Sequence, residues 1–223
     1  MTPRYSAALL LALGTLAITL TTPVIAREPG TAATIDSGWI LSKLGHAGPT
    51  RTAFVEVRSS PLLKSPLRVS GEYRHPDADT LVREVRSPYQ ETTTIRDGKA
   101  SIQRGGSTRT FALSRAPQLA TLQTSFGALL RGDQQQLQSA FALDTSGVRE
   151  KWKMVLTPKD TALAKQMRDI TLFGRGAELR CIETRLSQGN EVQRTLLASA
   201  ASASGTATSD DALQAICHGD AAR

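Results

Sequence analysis

Three histidines, His46, His75 and His218, and two cysteines, Cys181 and Cys217, are the side chains of this 223-residue sequence best suited to holding a metal or attacking a substrate. The histidines stand in loop-like stretches with no ligand spacing between them, so no metal site is expected. A serine nucleophile on a strained strand-to-helix turn takes the form G-x-S-x-G, which is missing. The glycine pairs lack the following Lys-Ser or Lys-Thr of a phosphate-cradling loop. Glu56 with Glu84, or Asp77 with Asp79, are the available acid pairs, and carboxylates on strands and turns are expected at the surface. No catalytic residue and no cofactor is assigned.

Charge excludes a second class. Lys and Arg number 27 against 20 Asp and Glu, a formal balance of +7. Arg83, Arg86, Arg96, Arg104, Arg109 and Arg115 are scattered, and with only 4% aromatic residues the stacking surface of a single-strand nucleic-acid site is missing. They read as a solvated strand face, with attraction to anionic headgroups or an acidic protein as the second reading.

The elements that must position these residues begin after an export signal. Met1 to Ala26 carries one cation, Arg4, then a largely apolar, uncharged run from Ala7 to Leu20, then Pro23 and small residues at Val24 and Ala26. This is the pattern of a secretory signal peptide cleaved after Ala26. The alternative, a membrane anchor, requires about 20 apolar residues. In an oxidising compartment Cys181 and Cys217 either pair or stay as two buried thiols, and both readings stand.

Residues 27–34 read as a flexible N-terminus, and Asp36 or Ser37 as the cap of a short helix ending around Gly45 to Pro49. Period-two runs follow at 52–58, 68–74 and 80–86, punctuated by Pro61, Pro66, Pro76 and Pro88. Asp97-Gly98 and Gly105-Gly106 flank one more short run, completing an antiparallel meander. From Pro117 the period changes: Leu119, Leu122, Phe126, Leu129 and Leu130 share a helical face, and Gln134 to Ala140 forms a second helix. In Val148 to Leu156 one face carries Val148, Trp152, Met154 and Leu156, the other Arg149, Lys151 and Lys153. Strands are expected around 167–173, 178–186 and 191–197, then an Ala/Ser-rich linker at 198–208 and a last helix over 210–217. About ten strands with helices at the start and centre point to a mainly β fold with α: a strongly curved antiparallel sheet, an unclosed β-barrel, covered by helices.

Four stretches together resemble the LolA periplasmic lipoprotein carriers and their LolA-related relatives. They are Phe54-Val55-Glu56-Val57-Arg58, Gly71-Glu72-Tyr73-Arg74-His75-Pro76-Asp77, Thr94-Ile95-Arg96-Asp97-Gly98-Lys99, and Ala128 to Asp133 combined with Trp152 to Pro158. The resemblance covers Ile35 to Leu197, which defines a LolA-like domain at 35–197 followed by a linker and tail at 198–223. It implies a helical lid over an apolar cavity that takes acyl chains, with Leu122, Phe126, Leu129 and Leu130 on the lid and Phe54 and Trp152 lining the cavity. It further implies a monomeric periplasmic carrier of an acyl-bearing lipoprotein or other lipid, loaded by an inner-membrane donor complex and unloaded at an outer-membrane acceptor. No nucleic acid partner is implied. Arg74 and His75 occupy the lid and transfer switch, where true carriers have Arg directly before the Pro and this chain has His75. That departure favours a LolA-related protein with another acyl, polyene or glycolipid cargo. An enzyme acting on lipid or glycan with His75 as base, and a structural module whose cavity is only core, are the competing classes.

Overall fold

Asp36 starts the first helix by accepting the Trp39 backbone N–H on its carboxylate at 2.7 Å, the ordinary way of satisfying an orphan donor at a helix start. Helix α1 (Ser37–Leu44) buries Ile40, Leu41 and Leu44. The computed structural model describes residues 35–45, 49–58, 64–77, 79–113, 127–129, 131–189 and 192–220.

Two meanders build one sheet. The first runs β1 (Thr50–Arg58), β2 (Leu67–Asp77), β3 (Thr80–Ser87), β4 (Glu91–Arg96), β5 (Lys99–Arg104) and β6 (Ser107–Ala112). The second runs β7 (Phe141–Val148), β8 (Lys151–Pro158), β9 (Met167–Arg175), β10 (Glu178–Leu186) and β11 (Val192–Leu197). Pairing of β1 with β11, Phe54 opposite Leu197, fuses them into eleven antiparallel strands ordered β6-β5-β4-β3-β2-β1-β11-β10-β9-β8-β7. Strands β6 and β7 are the two ends and do not pair, so the curved sheet stays an unclosed barrel. Helix α2 (Gln134–Ala140) precedes β7, and the short α3 (Thr161–Ala164) joins β8 to β9.

Alternation divides the sheet into two faces. On the inner face Phe54, Val69, Val85, Trp152, Met154, Leu156, Leu172 and Leu197 form the main core with Ile40, Leu41 and Leu44 of α1, Leu137 of α2, and Ala128 and Leu129. On the outer face Val55, Cys181 and Leu196 meet α4 (Ala198–Ala203) and α5 (Asp210–His218) through Ala200, Ala201, Leu213, Ile216 and Cys217. The first part of the stretch expected to be a linker, 198–208, is therefore helix α4, its small side chains letting the helix sit close to the sheet. Cys181 and Cys217 are joined by a disulfide that fastens α5 to β10.

Other differences are local. The run expected to begin at Val148 is two strands, β7 and β8, turning at Arg149 and Glu150. Strand β2 continues through Pro76, which the β2–β3 pairing accommodates by a register shift between Arg74 and Asp77. Gly174 lies inside β9 instead of at a turn, because the Trp152 indole occupies the place of its side chain: a Cβ there would stand 2.0 Å from the ring. The indole N–H donates to the Gly176 carbonyl at 3.0 Å. Among the described residues no helix is long and apolar enough to cross a membrane.

Candidate functional site

A cavity of about 250 Å³ opens where the start of β1, the end of β2, the start of β10 and the end of β11 come together. The register places Thr50 opposite His75 and Thr52 opposite Tyr73. Leu44 from the last turn of α1 and Leu129 cover it, and Leu179 and Leu197 complete an apolar wall. Thr50, Arg51, Tyr73, His75 and Glu178 supply the polar rim. A second hollow of about 510 Å³, lined by Pro49, Thr50, Arg51, Arg74, His75, Pro76 and Val82, adjoins it at the shared Thr50, Arg51 and His75. Apolar walls with a few convergent polar groups are the usual composition of a small-molecule site.

The polar side of the inner face is ordered by a run of charges. Tyr73 donates its hydroxyl to Glu56 at 3.3 Å and tilts against Phe54, 4.7 Å between ring centroids. Arg83 donates to the same carboxylate at 2.8 Å and lies over the Phe54 ring. The run continues from Arg83 to Glu91 at 4.0 Å and from Glu91 to Arg104 at 3.8 Å, with Arg104 over Tyr89. Burial, reinforced by the Glu56 charge, pushes the Tyr73 phenol up to about 12, so it stays protonated and a hydrogen-bond donor. Burial pushes His75 below the usual imidazole value, which keeps it neutral at pH 7. Its Nε2 is buried with no hydrogen-bond partner among the described residues.

The expected site residues fall into three groups. Leu129 and His75 line the cavity. Phe54 and Trp152 are 1% and 2% exposed in the main core and are not among the residues lining this cavity. Arg74 lies on the opposite face of β2 from His75, paired with Glu84 at 3.0 Å, and reaches only the second hollow. Leu122, Phe126 and Leu130 lie outside the described residues, as does His46. Glu56, expected at the surface, is buried against Tyr73 and Arg83, and Arg83 belongs to this inner network instead of a solvated face. Asp77 accepts the Asp79 backbone N–H at 3.0 Å, a local turn contact. Sequence reasoning did not single out Leu44, Tyr73, Leu179 or Leu197. Tyr73 was within reach, since period two puts it on the same face of β2 as His75.

An open, curved antiparallel sheet with helices over an apolar cavity defines the class of half-barrel binding proteins. The sequence model of the outer membrane lipoprotein carrier protein LolA-like family matches residues 29–221, and the chain belongs to that family. Families of this kind are carriers that bind lipid or lipoprotein, not enzymes, and are typically exported. No match is found among curated proteins. Similar solved structures include the LolA superfamily protein NE2245 from Nitrosomonas europaea, at 9% identity over 74% of this chain and 92% of that one, with a TM-score of 0.41. LprF from Mycobacterium bovis is similar at 13% identity over 73% and 91%, with a TM-score of 0.33.

Proposed function

We propose that the protein is a periplasmic carrier, exported by a signal peptide cleaved after Ala26, that shelters acyl chains of a lipoprotein or another lipid and passes them toward the outer membrane. The observation that supports this most is the cavity between Leu44, Leu129, Leu179 and Leu197 at one end of the central strands of the LolA-like sheet. Each methylene moved from water into such a site gains about 0.8 kcal/mol, so a long chain needs an escort across an aqueous space. Burial without covalent chemistry lets the same site load and release. The carrier works as a monomer between an inner-membrane donor and an outer-membrane acceptor. Residues 35–197 supply its sheet and cavity, and the C-terminal helices brace the sheet from outside.

The neutral His75, whose Nε2 has no partner among the described residues, lines this cavity and is suited to the ester or amide at the head of an acyl chain, while the Tyr73 hydroxyl stays on Glu56 and Arg74 holds the strand from its outer face. The cavity is small for several chains at once, which favours a cargo with a single acyl or polyene chain, as in an aryl polyene or glycolipid export system, over a lipoprotein with several. Native mass spectrometry of protein purified from its own periplasm tests the carrier reading. A co-purifying lipid is expected; lipid-free protein that also fails to protect a fluorescent acyl probe overturns it. His75→Ala separates carrier from enzyme: a carrier keeps its cargo with altered transfer, whereas a hydrolase using His75 as base loses turnover.

A further inference from the structure

On the outer face, away from the cavity, α5 closes over a carboxylate with no solvent exposure. Glu183 of β10 accepts Arg194 Nε on Oε1 at 2.7 Å and Arg185 Nη2 on Oε2 at 3.0 Å. Two groups from α5 reach the same Oε1: His218 Nε2 at 3.1 Å and Cys217 Sγ at 3.7 Å. The imidazole is held in that direction by stacking on Phe173, 4.3 Å between centroids. Cys217 is bonded to Cys181, which sits two residues before Glu183 on the same face of β10. One strand and one helix therefore bring two sulfurs, one imidazole nitrogen and one carboxylate oxygen together. The ligand atoms of Glu183, Cys217 and His218 all lie within 4.8 Å of one another.

Tetrahedral zinc, with bonds of about 2.0–2.3 Å, holds its ligands roughly 3.3–3.8 Å apart, and sulfur with imidazole nitrogen is the donor set it prefers. Cys217 Sγ at 3.7 Å from Glu183 Oε1 falls in that range and His218 Nε2 at 3.1 Å lies just short of it, so small shifts suffice to seat an ion. In the disulfide form the sulfurs are not thiolates and the set is incomplete. We propose that the dithiol form binds one Zn²⁺ through Cys181, Cys217, His218 and Glu183, so that α5 is fastened to β10 by a disulfide when oxidised and by the metal when reduced. A dithiol reductant supplies two electrons and two protons, becoming a disulfide itself, and leaves two thiols in the protein. Binding then releases those two protons to solvent as both sulfurs become thiolates. Arg185 stays on Oε2 and orients the carboxylate from behind, while Arg194, which also pairs with Asp210, yields Oε1 to the metal.

Anaerobic titration of the reduced, full-length exported chain with Co²⁺ tests this. One equivalent should bind with thiolate-to-cobalt charge-transfer absorption, be displaced by Zn²⁺, and be refused by the oxidised protein. Cys217→Ser should weaken Co²⁺ binding and leave about half of the charge-transfer intensity per bound cobalt, that of the Cys181 thiolate alone. His218→Ala, which leaves both cysteines and the fold in place, should weaken Co²⁺ binding by about tenfold or more. Circular dichroism alongside reads folding: a reduced chain that loses structure and regains it on adding Zn²⁺ supports the site. Reduced protein with no charge-transfer band, or His218→Ala binding as tightly as the parent, overturns it.

Discussion

Glu56 and Arg83 face each other across the inner surface of the sheet, 2.8 Å from carboxylate to guanidinium, although β2 runs between their strands. The span is bridged because Arg83 reaches over the Phe54 ring, burying its stem while its head finds the carboxylate. Their side chains are only 11% and 17% exposed. Removing one partner leaves the other poorly solvated, which is what makes a buried pair costly to break. Arg83→Met should therefore lower stability by about 3 kcal/mol in urea unfolding. Glu56→Gln combined with Arg83→Met should recover much of that loss, and additive costs would show that the two residues are not coupled.

Tyr73 carries a pH signature. Its phenol is raised to about 12 in the fold against about 10 in the unfolded chain, so folding favours the protonated form. Its contribution, about 2–3 kcal/mol, is fully present below pH 10 and lost as the pH rises toward 12. Phenolate absorbance should show Tyr73 ionising near pH 12 or with alkaline unfolding, whichever comes first, and Tyr73→Phe should remove that part of the alkaline loss. A Tyr73 that titrates near pH 10 in folded protein contradicts the assigned burial.

Gly174 has no room for a methyl group. The Trp152 ring and the Glu178 carbonyl already fill the space, the carbonyl 2.5 Å from where a Cβ would be. Gly174→Ala must displace the indole and break its bond to Gly176, at a cost of about 1–3 kcal/mol. A lower urea midpoint with altered near-ultraviolet circular dichroism is expected; an unchanged tryptophan signal would mean that the ring does not lie there.

These residues also show which parts of the fold the sequence discloses. Lys151 to Leu156 alternates cleanly because one face is core and the other solvent, and Asp97-Gly98 adopts the positive φ angles that tight hairpins demand. Strand β7 is obscure because its inward positions decline from Phe141 and Leu143 to Thr145 and Gly147, and its turn uses Arg149 and Glu150, neither a turn former. Helix α4 reads as linker because Ala and Ser serve equally in a loose segment and in a helix that must approach a sheet closely; only the tertiary contact decides. Of the residues read as lid and switch, Leu129 and His75 line the cavity. Leu44, Leu179 and Leu197 join it from three separate elements, and no local period records that meeting. The cluster on Glu183 was hidden in the same way, since His218 is 35 residues away along the chain.

The most direct measurement of the carrier role is fluorescence of an environment-sensitive single-chain acyl probe, titrated with the exported protein and with Leu179→Asp. Leu179 is partly exposed and lines the cavity, so the charge enters the apolar wall without emptying the core. The parent protein should enhance and blue-shift the probe saturably at one equivalent, and Leu179→Asp, folded by circular dichroism, should weaken binding by at least about tenfold, the equivalent of 1.4 kcal/mol. Parent protein that leaves the probe in water, or a folded Leu179→Asp variant that binds it equally well, would contradict a lipid site in this cavity.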